Sequence, residues 1–211
     1  MSASQSLNCP SCGASHSLAN PGIVMFSCEY CGTAVYWDRE KIRAAGKQAV
    51  VPEGFSRLYR GAAGTIRQKR FIVIGRARYS FGRGFWDEWY LERSDNTMIW
   101  LSEDNHELCW QSRIELDPPP LPFEMYCPGA IIQARDLVLA VREVGHAECI
   151  GIEGDLPKHV EVGETYPYVD AGSRDGSYAL GIEYDDDTPS VFFGRWLKWA
   201  ELKLDDEGAE W

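Results

Sequence analysis

Two Cys-x-x-Cys pairs, Cys9-Pro10-Ser11-Cys12 and Cys28-Glu29-Tyr30-Cys31, stand fifteen residues apart, and each is followed at once by a glycine, Gly13 or Gly32. A two-residue insert lets both thiolates of a tight turn face one ion at about 2.3 Å. Glycine after the second cysteine admits the positive φ on which such a turn ends. The spacing therefore predicts a four-cysteine zinc ribbon with Cys9, Cys12, Cys28 and Cys31 as ligands. Four thiolates leave no open coordination position, which is the arrangement of a structural zinc rather than a catalytic one. Iron accepts the same ligand set, so the cysteines alone do not separate the two metals. With so few residues to form a core, the ribbon should fold only as it binds its metal.

The remaining thiols do not extend this pattern. Seven cysteines in all leave one over for a disulfide framework, and two Cys-x-x-Cys pairs in a Gly/Ser/Asn-rich setting do not suit a thioredoxin-like redox site. Cys109, Cys127 and Cys149 read as buried structural thiols. His16, between the knuckles, reads as a surface-loop residue rather than a fifth ligand.

Residues 37–45 read as a short helical or irregular connector, and Pro52 and Gly54 mark a boundary. Beyond it, β-favouring runs at 64–68, 71–79, 85–91, 98–101 and 107–110 are separated by turn residues. After the stiff Asp117-Pro118-Pro119-Pro120-Leu121-Pro122 segment, further runs occupy 130–134, 137–144, 147–153, 178–184 and 191–202. Sustained helical periodicity is absent. The expected architecture is mainly β: a ribbon and connector over 1–45, then an antiparallel all-β domain over 46–211, in a barrel or packed sheets, with a possible division into two β halves near 118–122.

The densest cluster is Trp86-Asp87-Glu88-Trp89-Tyr90. In a strand, Asp87 and Trp89 face one way while Trp86, Glu88 and Tyr90 face the other. Either this is a central strand covered on both sides, each acid paired with Arg76, Arg78, Arg83 or Arg93, or the five residues line a groove for a ligand or partner. Asp185-Asp186-Asp187 reads as a solvated hairpin turn.

Charge narrows the partners. The chain carries 32 acidic and 21 basic residues, a net −11. Residues 46–93 are net +6 and residues 94–211 net −17, which is most simply explained by neutralisation across one packed domain. The overall field opposes polyanion binding. The leader-like features of a secretory signal and any apolar run near the ~20 residues of a bilayer span are missing, so a soluble cytoplasmic protein is expected.

The blocks Gly64-Thr65-Ile66, Phe71-Ile72-Val73-Ile74-Gly75-Arg76-Ala77-Arg78-Tyr79, Trp86-Asp87-Glu88-Trp89-Tyr90-Leu91 and Trp100-Leu101-Ser102-Glu103 resemble the bacterial family catalogued as domain of unknown function 4178. Its later pattern recurs in Gly154-Asp155-Leu156-Pro157, Val162-Gly163-Glu164, Ile182-Glu183-Tyr184 and Val191-Phe192-Phe193-Gly194, so the likeness spans about 55–204. The resemblance implies an N-terminal zinc ribbon. It also implies genes nearby for membrane-stress proteins of the phage-shock type and for polyamine-synthesising enzymes. No catalytic residue comes with it.

No Walker loop, nucleophile elbow or His-Glu-x-x-His motif is present, and His106, His146 and His159 have no triad-like spacing. The expectation is a non-enzymatic, metal-stapled adaptor that docks protein partners through exposed Trp and Tyr, among them membrane-associated stress proteins. One alternative is a sensor of a polyamine-like cation held by aromatics and the carboxylates of Asp87 and Glu88. Another is nucleic-acid binding through the ribbon and Arg57, Arg60, Arg67, Lys69, Arg70, Arg76 and Arg78.

Overall fold

The computed structural model describes residues 5–18, 20–37, 41–48, 56–95, 97–184 and 188–205. The expected boundary at Pro52 and Gly54 and the expected turn at Asp185-Asp186-Asp187 lie outside the described residues. The ribbon comprises β1 (Gln5–Asn8), β2 (Ser15–Leu18), β3 (Met25–Ser27) and β4 (Thr33–Trp37), followed by β5 (Ile42–Gln48). The expected helical or irregular connector over 37–45 is corrected where it is described, residues 38–40 lying outside the described residues: Trp37 ends β4, and β5 pairs antiparallel with β4, giving the backbone of residues 42–48 a ladder to bond to.

The domain beyond it contains β6 (Ala63–Ile66), β7 (Lys69–Ser80), β8 (Phe85–Arg93), β9 (Met98–Asp104), β10 (Glu107–Ile114), β11 (Ile131–Ala134), β12 (Leu137–Leu156), β13 (Thr165–Ser173), β14 (Tyr178–Glu183), β15 (Ser190–Leu197) and β16 (Leu202–Leu204). Two expected runs, 137–144 and 147–153, are one 20-residue strand, β12. The last run stops at Leu197, where a 3-10 turn at Trp199–Glu201 leads into β16.

Eight of these strands close on themselves in the order β7-β8-β9-β10-β15-β14-β13-β12, because β12 also pairs with β7. Every neighbouring pair is antiparallel. Closure removes the sheet's open edges, and an eight-stranded barrel is about wide enough to be filled by side chains or to hold one small ligand. The length of β12 makes this possible: its 139–148 stretch pairs with β13 and its 148–154 stretch with β7. A bulge between Val141 and Glu143 lets the strand bend around the wall.

Alternation assigns the two sides of the wall. Trp89, Leu91, Leu101 and Leu108 point outward into a core closed by Leu58, Ile66, Leu202 and Leu204. Val169, Leu180, Ile182 and Phe193 point outward into a second core, under the β11 hairpin and Phe123. Tyr79, Tyr90, Ala147 and Cys149 form the inner cluster, to which Met25 and Ala34 of the ribbon contribute. The ribbon thus covers one end of the barrel. Its β3 extends the barrel sheet through Phe26 opposite Asp155 and Met25 opposite Leu156, and Asn20 donates to Glu92 at 2.8 Å.

His16 is not a surface-loop residue: it lies on β2, stacked on Phe26 with ring centroids 4.1 Å apart, its Nε2 2.9 Å from Asp155. Of the three thiols expected to be buried, Cys109 and Cys149 are, whereas Cys127 is exposed in the loop before β11. The basic and acidic segments meet in ion pairs, Arg67 with Glu201, Arg70 with Asp205 and Arg83 with Glu143. No helix among the described residues is long and apolar enough to cross a membrane.

Candidate functional site

The four ribbon cysteines converge as their spacing predicts. Their sulfurs all lie within 4.8 Å of one another, with Cys9 to Cys31 and Cys12 to Cys28 both at 3.7 Å. A tetrahedron with arms of about 2.3 Å has edges of about 3.8 Å, so the cluster fits one thiolate-bound ion. The two knuckles are built alike. Gly13 N–H donates to the Cys9 carbonyl and Gly32 N–H to the Cys28 carbonyl, both at 2.8 Å, and both glycines have positive φ, 77° and 69°. The Thr33 hydroxyl lies 3.2 Å from Cys31 Sγ. With the Thr33 backbone it favours the thiolate, holding the Cys31 thiol down at about 6. The cysteines would supply all four ligands of a metal ion and close its sphere; the geometry leaves the identity of the metal open.

The Trp86–Tyr90 block is divided by the barrel wall. Trp89 and Tyr90 are both 0% exposed and belong to cores. Asp87 lies outside the barrel and buried, where Arg78 donates to it twice at 2.7 Å and Arg76 approaches to 3.8 Å. Glu103, also outward, accepts from Trp89 Nε1 at 2.9 Å. Glu88 points inward, and its partners are not arginines: Tyr90 donates to it at 3.1 Å and the Lys158 ammonium stands 3.5 Å away. Arginines from β7 can reach only the acid on their own side of the sheet.

Inside the barrel, at the end away from the ribbon, a cavity of about 230 Å³ remains. Its aromatic wall includes Phe81, Trp86 and Tyr168, with Trp86 edge-on to Tyr168 at 5.2 Å. Its acids come from five strands: Glu88 from β8, Asp104 from β9, Glu143 from β12, Asp170 from β13 and Glu183 from β14. Trp86 and Glu88 belong to the block singled out in the sequence; the other four acids were not anticipated. Asp170 was hidden because Pro167 interrupts the alternation of β13, and proline inside a run argues against a strand. The signal that could have found it is Tyr166, Tyr168, Asp170 and Gly172 at period two.

Two cations neutralise part of this set. Lys158, from the loop after β12, pairs with Glu183 at 2.6 Å, and its ammonium lies over the Tyr79 and Phe192 rings at 5.3 and 5.8 Å. Arg83 reaches Glu143 at 2.8 Å from outside, and Tyr168 donates to the same oxygen at 3.0 Å. Asp170 has no hydrogen-bond or ion-pair partner among the described residues. Its side chain is exposed by area, but that exposure is to the lumen, with the barrel wall around it. Enclosure, then the charges of Glu143, Asp104 and Glu88, push its carboxyl up to about 7.

That shift has a stability consequence. The folded chain holds the Asp170 proton more tightly than the unfolded chain does, so its contribution is present below about 4 and lost as pH rises through about 7. Asp170→Asn should raise the melting temperature most at pH 8, with the gain shrinking on acidification towards pH 4. A gain independent of pH in scanning calorimetry would assign it to packing instead.

Residues 60–198 match the model of the family described as Domain of unknown function (DUF4178). That span takes in every strand of the closed barrel, from β7 to β15. No curated protein and no solved structure matches the chain.

Proposed function

This chain belongs to the DUF4178 family, and we propose that it is a non-catalytic binding protein whose barrel lumen takes a small organic cation, an alkylammonium. The observation that carries the reading is an aromatic-walled cavity whose acids outnumber its cations, with Asp104 and Asp170 lacking a counter-charge among the described residues. Enclosing carboxylates in this way costs stability unless something pairs with them. Lys158 supplies an internal precedent for the ligand: an alkylammonium seated between two carboxylates and two aromatic faces. The Cys109 thiol, also in the wall, is pushed up to about 12 by burial, which keeps it protonated and unreactive. In this reading the metal-held ribbon is a plug that closes the far end of the barrel.

Calorimetry at pH 8 and about 50 mM salt, with spermidine and with n-butylammonium, tests it. Saturable binding is expected, weakened at least tenfold by Asp170→Asn, the loss of about 1.4 kcal/mol or more for a charge-assisted contact. No saturable heat with either amine would overturn the reading.

A second reading, a protein-docking adaptor, is favoured by Tyr30, 80% exposed in the second knuckle. The buried Trp89 and Tyr90 are not available to it. Tyr30→Ala should then abolish co-purification of a partner that the intact protein retains; an unchanged partner set would remove the ribbon from that role.

A further inference from the structure

We propose, resting on the reading of the lumen as an alkylammonium site, that the empty barrel carries a proton on Asp170 and gives it up when the ligand enters, so that binding is an exchange of a proton for a cation. The geometry makes Asp170 the exchanging group. Its cross-strand neighbours are Glu143 on β12 and Gly181 on β14. A Cβ at Gly181 would stand 3.5 Å from Asp170 Oδ1, so the missing side chain leaves room in front of the carboxyl for a ligand nitrogen.

The other charged groups around Asp170 do not replace that ligand. From β12, Arg142 lies against Gly172 and donates to the Ser173 carbonyl at 3.0 Å. Glu143 and, from β9, Asp104 bring like charge to the same space. At the floor, Lys158 is held by Glu183 of β14 and Glu88 of β8. From β10, Cys109 contributes only a protonated thiol, and Tyr168 of β13 gives its hydroxyl to Glu143. Arg142 lines the same cavity but is not paired with Asp170, and an enclosed carboxylate beside two others with no cation bonded to it is stabilised by taking a proton. Enclosure and the neighbouring charges push Asp170 up accordingly, to about 7.

The exchange balances without a further reactant. The Asp170 carboxylic acid and an incoming R–NH3+ give the carboxylate–ammonium pair, and the O–H proton leaves to solvent. No other bond forms or breaks. Linkage then sets the pH dependence: below about pH 7 the affinity should fall by up to tenfold per pH unit, until the carboxyl stays protonated even with the ligand bound. Acidification would empty the barrel and a return to neutral pH would refill it.

The test is calorimetry of the intact protein with n-butylammonium at pH 6, repeated in phosphate, MES and imidazole, whose ionisation enthalpies differ. The slope of heat against ionisation enthalpy counts protons released. About one proton per ligand is expected at pH 6 and close to none at pH 8.5. Binding with no buffer-dependent heat at pH 6 overturns the exchange while leaving the lumen site in place. Absence of binding at pH 8, where Asp170 is already ionised, overturns the lumen site itself. Asp170→Asn, checked for an unchanged circular dichroism spectrum, should bind weakly with no proton released; release that persists in this variant overturns the assignment to Asp170.

Discussion

Cys9→Ser is expected to unfold the ribbon and leave the barrel standing. The ribbon's own core is small, chiefly Leu18, Ile23, Phe26, Val35 and Trp37 around the buried Cys9 and Cys28. Such a cluster does not offset the ordering of a chain this short, and in comparable metal-held modules the metal supplies on the order of 10–16 kcal/mol that is folding energy. A serine hydroxyl in place of one thiolate removes a soft ligand and a fourth of the coordination sphere. Elemental analysis should find one metal ion per chain in the intact protein and none in the variant. Hydrogen exchange should then show the amides of Met25–Ser27 and Thr33–Trp37 unprotected, with those of β8 and β9 still slow. The barrel survives because its eight strands close without the ribbon, although Leu156, Tyr90 and Val160 lose Met25 and Ala34 as neighbours. Retained protection at β3 and β4 after metal removal would show that the pairing with β12 and the Asn20–Glu92 bond hold the ribbon unaided.

The second large effect is expected outside the barrel, at Asp87. Both Asp87 and Arg78 are almost fully buried and joined by two 2.7 Å bonds. Asp87→Ala takes both of these bonds from the buried Arg78 guanidinium, and removing one partner of a buried pair costs about 3–5 kcal/mol. For a chain of this size that is a fall of roughly 6–20 °C in melting temperature. Arg78→Met combined with Asp87→Leu should recover much of the loss, since the two charges of the pair are then replaced together. Glu153→Ala provides the contrast. Its bond to Arg76 is 3.2 Å long but its side chain is 40% exposed, so the change should cost less than about 1 kcal/mol. Thermal melts of the four proteins at pH 7 check the order; equal losses for Asp87→Ala and Glu153→Ala would contradict it.

The ease with which each feature can be read from the sequence follows the distance over which its cause acts. The clustering of the four cysteines is legible because both knuckles are local turns, each complete within six residues from Cys9 to Ala14 and from Cys28 to Thr33. The β-rich character was legible for the same reason, since alternation and turn residues operate within one strand. Local sequence misleads where a partner strand decides. Residues 42–48 have little strand signature and become β5 because β4 offers them a ladder. His16 looks solvent-facing until Phe26 and Asp155 are brought beside it. Arg76 and Arg78, near Glu88 in sequence, lie across the wall from it, Arg83 pairs with Glu143 instead, and the cation beside Glu88, Lys158, is seventy residues away.

The four-cysteine cluster and the all-β class follow from the local order of the chain, because thiolate spacing and period-two patterning are imposed by bonds between near neighbours. Local order likewise places Asp87 and Glu88 on opposite sides of one strand. Which of those sides is the inside depends on closure of the barrel. That required β12 to be long enough to pair with β13 at one end and β7 at the other. Closure gathers Glu88, Asp104, Glu143, Asp170 and Glu183, unremarkable one at a time, into one confined space. There, each carboxylate's cost depends on the others and on whatever cation or proton joins them.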